Sequence, residues 1–159
     1  MTTNETEIHV DPDVPMVRIT REFDASAEDV FRAHTDPELV VQWNGPNGTE
    51  AHIEEWDCRT GGAWRYVHSM DGEEYAFHGS FHDVLPEQLT IVQTFTYDGV
   101  PEGVALERLV IEDLPGSRSR LTATSLVDSF EGRDAFIASG MEVGVVEGYE
   151  RLDEVLARR

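Results

Sequence analysis

The sequence has 159 residues, of which 40% are hydrophobic, 9% aromatic and 28% charged, a composition typical of one soluble globular domain. Thirty-two acidic and 12 basic side chains give a formal net charge of -20, and every basic residue is an arginine. A surface this acidic repels phosphate backbones and anionic lipids, so neither nucleic-acid binding nor membrane binding is expected. The single cysteine, Cys58, excludes an internal disulfide, and the absence of a signal peptide or a long apolar run predicts a cytoplasmic protein.

The N-terminal part predicts a flexible arm, one strand and two short helices. The arm spans residues 1–15 and includes a short edge strand at residues 8–10. Residues 17–23 alternate as a half-buried strand that carries Arg21 on its apolar side. A capping box beginning at Ser26 starts one helix, and Asp36 with Pro37 starts a second helix that ends near Trp43.

Residues 51–127 are interrupted by Gly- and Pro-containing turns, with aromatic and β-branched segments between them. Turns spaced so closely allow only antiparallel neighbours, so we expect a meander of six strands and a sheet of about seven. A tight turn at Asp71-Gly72 places Tyr66 opposite Phe77 and Trp64 opposite Gly79.

Apolar residues at helical spacing predict one long helix over residues 131–157. Gly140, Gly144 and Gly148 lie four residues apart and therefore on one stripe of that helix. Each glycine costs a helix about 1 kcal/mol relative to alanine, so something must approach the backbone closely. Two explanations stay open at this point, tight packing on the sheet or room for a ligand beside the helix.

This order of elements and a set of local motifs resemble a known superfamily. The segments that carry the resemblance lie at residues 21–25, 30–31, 35–39, 43, 45–46, 57–66, 78–81, 139–144 and 149–152. Together they resemble the family of activator of heat-shock protein 90 ATPase homologues, in its bacterial single-domain form, within the START-like (SRPBCC, helix-grip) superfamily. The resemblance covers residues 16–157 and implies an α+β domain in which a curved antiparallel sheet wraps around a long C-terminal helix.

The resemblance also carries expectations about function. Eukaryotic members have a further N-terminal domain that binds the chaperone, for which this chain has no room, so chaperone activation is not carried over. The common theme of the superfamily is binding of apolar small molecules in a cavity. Family members often have an aromatic residue or leucine where this chain has Asn44, and tryptophan where it has Val145, and both differences are expected to enlarge or re-line that cavity.

The residues predict no catalytic constellation, metal site or cofactor. There is no nucleophile elbow, phosphate loop or dinucleotide fingerprint. His78 and His82 share a strand face but lie ~13 Å apart, too far to chelate one ion.

The inward faces of the predicted strands define a candidate ligand cavity. Its predicted residues are Arg21, Trp43, Trp64, Tyr66, Phe77, Gln93, Phe95, Met141, Gly144 and Val145. Arg21 and Gln93 are polar residues on apolar faces. They either orient a ligand or, in the case of Arg21, pair with a carboxylate such as Glu107 or Asp57.

Three classes of function remain open. The first is a protein that binds an apolar small molecule. The second is a cyclase- or hydrolase-like enzyme that would need a titratable group such as His34, His68 or Asp57 in the cavity. The third is a protein-interaction or co-chaperone-like module, and the sequence also allows a homodimer.

Overall fold

The computed structural model describes residues 4–158. Its elements in chain order are β1 (Glu7–Val10), β2 (Met16–Phe23), α1 (Ala27–Thr35), α2 (Pro37–Trp43), β3 (Glu50–Trp56), β4 (Ala63–Met70), β5 (Glu73–Leu85), β6 (Thr90–Tyr97), β7 (Ala105–Leu114), β8 (Arg118–Leu126), α3 (Phe130–Ala138) and α4 (Met141–Ala157). The α+β class and the helix-grip architecture predicted from the sequence are confirmed.

The strands form one antiparallel sheet in the order β1-β2-β8-β7-β6-β5-β4-β3. The six-strand meander is present as β3 to β8, and the short strand expected at residues 8–10 is present as β1, which pairs with β2. Counting β1 raises the total from about seven to eight. Of the predicted arm, residues 1–3 lie outside the described residues.

The register between β4 and β5 is the one expected, with Tyr66 opposite Phe77 and Trp64 opposite Gly79. The connecting turn explains this agreement, because Asp71 and Gly72 both have positive φ angles, 52° and 80°. Two such residues form the tight hairpin turn that matches the natural twist of the strands and fixes their pairing. Register shifts occur elsewhere, between Ile53 and Glu55 in β3 and between Phe81 and Asp83 in β5.

The two short helices begin where the capping residues predict. The Ser26 side chain accepts a hydrogen bond from the Asp29 backbone N–H, and Asp36 accepts one from Glu38. These bonds satisfy amide groups that the first helical turn leaves without partners. The helices pack side by side, and the indole N–H of Trp43 in α2 donates to the Ala33 carbonyl of α1 at 3.0 Å.

The prediction of a single helix over residues 131–157 is wrong, because the segment forms two helices. α3 ends at Ala138, and Gly140, with a φ of 91°, precedes the first turn of α4. Glycine adopts this left-handed conformation without the steric penalty that a side chain would impose. Gly140 therefore breaks the helix instead of sharing a stripe with Gly144 and Gly148.

The core lies between α4 and the inner face of the sheet. The α4 residues Tyr149, Leu152 and Val155 are buried in the same cluster as Val17 and Phe23 of β2. The rings of Phe23 and Tyr149 meet edge to face at 5.6 Å. This packing holds α4 across the sheet, which is the arrangement that the helix-grip architecture requires.

Candidate ligand pocket

A pocket of about 240 Å³ lies between the inner face of the sheet, the α1–α2 pair and α4. A cavity of ~150 Å³ accommodates benzene, so this volume suits a molecule with one or two rings. The sheet supplies Trp56, Trp64, Tyr66, Gln93, Phe95 and Glu107, among others. The helices supply His34, Trp43, Val145 and Tyr149, with Asn44 just after α2.

Six of the ten residues predicted from the sequence line this pocket: Trp43, Trp64, Tyr66, Gln93, Phe95 and Val145. Asn44 and Val145, the two positions that differ from the resembled family's pattern, both line it as well.

Two predicted residues, Phe77 and Met141, lie behind or beside the wall. Phe77 packs against Tyr66 and Phe95, with ring centroids 5.6 and 5.4 Å apart. Met141 begins α4 and packs against the core.

Arg21 lies outside the pocket. It pairs with a carboxylate, which was the second of the two roles considered for it, the first being to orient a ligand. Its partner is Asp153 of α4, not Glu107 or Asp57. Nη1 and Nη2 of Arg21 each donate to one Asp153 oxygen at 2.7 Å. The guanidinium is 2% exposed and also stacks over the Phe23 ring at 4.8 Å. Arg21 therefore fastens α4 to β2.

The two glycines within α4 face the loop that follows α2. A Cβ atom at Gly144 would lie 3.6 Å from Cδ of Pro46, and one at Gly148 would lie 3.3 Å from the Trp43 carbonyl oxygen. The neighbours of these glycines are therefore the end of α2 and the loop that follows it, not the sheet. The pocket instead borders the stripe of α4 that carries Val145 and Tyr149, which corrects the expected place of the cavity beside the glycines.

Glu107 also lines the pocket, although the sequence did not predict it there. Its carboxylate accepts hydrogen bonds from Nε2 of Gln93 and Oγ of Ser125, both at 3.1 Å. Burial raises the pKa of Glu107, and these two bonds oppose the rise. The alternation Ala105, Glu107, Leu109, Ile111 in β7 was the signal that could have placed it on the inner face.

Two further polar atoms in the pocket wall are buried without a hydrogen-bond partner among the described residues. They are Nε1 of Trp64 and Nε2 of His34. Nδ1 of His34 lies 2.8 Å from the Val30 carbonyl oxygen, which can only accept, so Nδ1 carries the proton. Burial lowers the pKa of His34 to about 4, and the neutral ring therefore presents a bare Nε2 acceptor.

The other titratable groups proposed for a catalytic role lie elsewhere. His68 stacks on Tyr66 with ring centroids 5.0 Å apart, and burial lowers its pKa to about 4. Asp57 forms an ion pair with Arg59 at 2.9 Å. Among residues 4–158, no three His, Cys, Asp or Glu side chains are grouped so as to hold a metal ion.

A second depression of about 650 Å³ lies beside Cys58 and is bordered by charged side chains including Glu28, Arg32 and Asp113. Burial, reinforced by nearby Asp57, raises the pKa of the Cys58 thiol to about 11. The thiol is therefore protonated at neutral pH and a poor nucleophile.

Within the described part of the chain, no helix is both long and apolar enough to cross a membrane.

Comparison with solved structures places the fold among bacterial relatives. A crystal structure of a Rhodobacter sphaeroides protein superposes with a TM-score of 0.87 at 25% identity, covering 98% of this chain and 99% of that one. A solution structure from Arthrobacter aurescens gives 0.84 at 27% identity, covering 96% and 92%. The AHSA1 protein of Silicibacter pomeroyi gives 0.73 at 23% identity, covering 89% and 97%. No curated protein matches the sequence.

The family comparison agrees with these superpositions. Residues 24–157 match the family described as "Activator of Hsp90 ATPase homolog 1-like protein". This match takes in everything from the end of β2 to the end of α4, including every residue that lines the pocket except Ile19. The chain therefore belongs to the AHSA1 family, within the START-like helix-grip fold.

Proposed function

We propose that the protein binds an apolar small molecule in the pocket between the sheet and α4. The observation that carries this proposal is the combination of an aromatic wall with a few converging polar groups. Six aromatic side chains line the pocket: Trp43, Trp56, Trp64, Tyr66, Phe95 and Tyr149. Ligand sites in proteins commonly have this composition, with apolar walls for affinity and few polar atoms for orientation.

The unpartnered atoms of Trp64 and His34 support the same proposal. A buried donor or acceptor without a partner costs about 1–3 kcal/mol, and both atoms belong to residues of the pocket wall. Both other tryptophans have partners, since Trp43 donates to Ala33 and Trp56 donates to the Thr35 carbonyl at 2.8 Å. A ligand that offers an acceptor to Trp64 and a donor to His34 would satisfy both atoms.

The test is a binding assay with Prodan, a neutral naphthalene dye of two fused rings, which matches the size of the pocket and whose emission shifts to the blue in apolar surroundings. Val145→Trp should fill the pocket, and the resembled family often carries tryptophan at this position, so the variant should fold. Val143→Trp is the matched control, because Val143 lies on the same helix and is 56% exposed.

We expect dye binding by the parent and by the Val143 variant, and its loss in the Val145 variant. Equal binding by all three proteins would place the dye outside the pocket and contradict the proposal, as would no binding by the parent. Native mass spectrometry of the purified protein tests the same proposal by looking for a small molecule that purifies with it.

A further inference from the structure

The Glu107 carboxyl group is a charge site that the fold does not neutralise. Its two hydrogen bonds come from the neutral side chains of Gln93 and Ser125. No ion pair of the described residues includes it: Arg21 is committed to Asp153, and the exposed Arg108, which borders the pocket, forms none with it. Two bonds leave part of the acceptor capacity of a carboxylate unused.

A carboxylate in apolar surroundings is costly unless a cation accompanies it. Burial accordingly raises the pKa of Glu107. Burial also raises the pKa of the Tyr66 and Tyr149 hydroxyls, and the Glu107 charge adds to both shifts. These two phenols therefore share the field of the carboxylate, and neither supplies a positive charge to offset it.

The pocket wall around this carboxylate consists of aromatic rings, a group that attracts organic cations. Trp64 and Tyr66 stack with centroids 4.9 Å apart, and Phe95 lies 5.7 Å from Trp64. Trp43 stacks on Tyr149 at 6.0 Å on the helical side. The faces of aromatic rings carry negative charge and bind ammonium groups, most strongly where water is excluded. The net charge of -20 also draws cations toward the protein.

We propose that the ligand of this pocket is an organic cation, an amine with an apolar body of one or two rings, whose ammonium group pairs with the Glu107 carboxylate. The proposal rests on the proposed ligand-binding function and narrows it to a chemical class. The ammonium group donates to the unused lone pairs of Glu107, while the aromatic wall contacts the apolar body. The Gln93 and Ser125 bonds hold the carboxylate in position.

The test compares amines with alcohols of the same shape. The probes are 2-phenylethylamine with 2-phenylethanol, and tryptamine with tryptophol, each titrated calorimetrically into the parent protein and into Glu107→Gln. Glutamine keeps the size of the side chain but not its charge. Glu102→Gln is the control, because it removes one negative charge from an exposed loop position and leaves the pocket unchanged.

In the parent and the Glu102 variant, we expect each amine to bind at least tenfold more tightly than its alcohol. In the Glu107 variant this preference should disappear, with weaker binding of the amine and unchanged or tighter binding of the alcohol. Equal affinities in the parent, or a preference that survives in the Glu107 variant, would overturn the proposal. Failure of all four probes while Prodan still binds would overturn it as well, whereas failure of Prodan would refute ligand binding itself.

Discussion

Gly144 and Gly148 of α4 allow the packing of this helix to be tested with one methyl group at each position. Alanine is favoured over glycine inside a helix by about 1 kcal/mol. At Gly144 the added Cβ would meet only Cδ of Pro46 at 3.6 Å, an ordinary van der Waals contact. Gly144→Ala should therefore raise the free energy of unfolding by up to about 1 kcal/mol, which for a domain of this size raises Tm by about 2–4 °C.

Gly148→Ala has the same helix propensity but different surroundings. Its Cβ would lie 3.3 Å from the Trp43 carbonyl oxygen and 3.6 and 3.7 Å from the backbone of Gly45. The contact with the Trp43 carbonyl, at the end of α2, is tight, and this backbone group must shift by a few tenths of an ångström to admit the methyl group. The strain should cancel the gain in propensity or exceed it, so the Tm should stay level or fall.

Differential scanning calorimetry of the two variants, with urea unfolding as a second measurement, checks this contrast. Prodan binding serves as the control, because neither glycine lines the pocket and binding should be unchanged in both variants. A Gly144→Ala protein less stable than Gly148→Ala would refute this packing of α4. Loss of dye binding in Gly144→Ala would indicate that the ligand cavity lies beside the glycines of α4.

Three further predictions concern charge. Arg21→Leu should lower the free energy of unfolding by about 2 kcal/mol in urea titrations, because it removes two charge-assisted hydrogen bonds between the buried guanidinium and the partly exposed Asp153; no measurable loss would contradict the bridging role. Burial lowers the pKa of His34 and His68 to about 4, so the folded state binds protons less readily than the unfolded state does. The free energy of unfolding should therefore fall as the pH drops from about 6.5 toward 4, by up to about 3 kcal/mol for each ring. The variant His68→Phe should show a shallower decline between these pH values, and an identical slope would count against this cause. With a net charge of -20, Tm should rise as NaCl is increased from low to moderate concentration, because salt screens self-repulsion; a flat response would show that the acidic groups are already compensated locally.

The parts of the fold that could be predicted from sequence are those determined by local chemistry. The β4–β5 register depended on one hairpin turn, and the starts of α1 and α2 depended on Ser26 and Asp36. The break at Gly140 was missed because apolar residues continue at helical spacing on both sides of it. Spacing alone does not show whether a glycine continues a helix or ends it, since glycine adopts either conformation.

The pocket was predicted less completely, for a physical reason. Alternation along a strand assigns a face, and it correctly placed Trp64, Tyr66, Gln93 and Phe95 on the inner one. Partners across the fold depend on how α4 lies on the sheet, which the local pattern does not contain. Arg21 therefore received the wrong carboxylate partners, and Glu107 was considered only as one of them.

The register shift in β3 has a consequence for how the protein behaves in concentrated solution. β3 is an edge strand of an open sheet, and the unpaired N–H and C=O groups of an edge strand can pair with a strand of another chain. The irregularity between Ile53 and Glu55 twists this strand, and Glu50, Glu54 and Glu55 are exposed along it. The edge strand of a second molecule would meet three carboxylates and an irregular backbone at β3. These features oppose the edge-to-edge pairing of sheets that leads to aggregation.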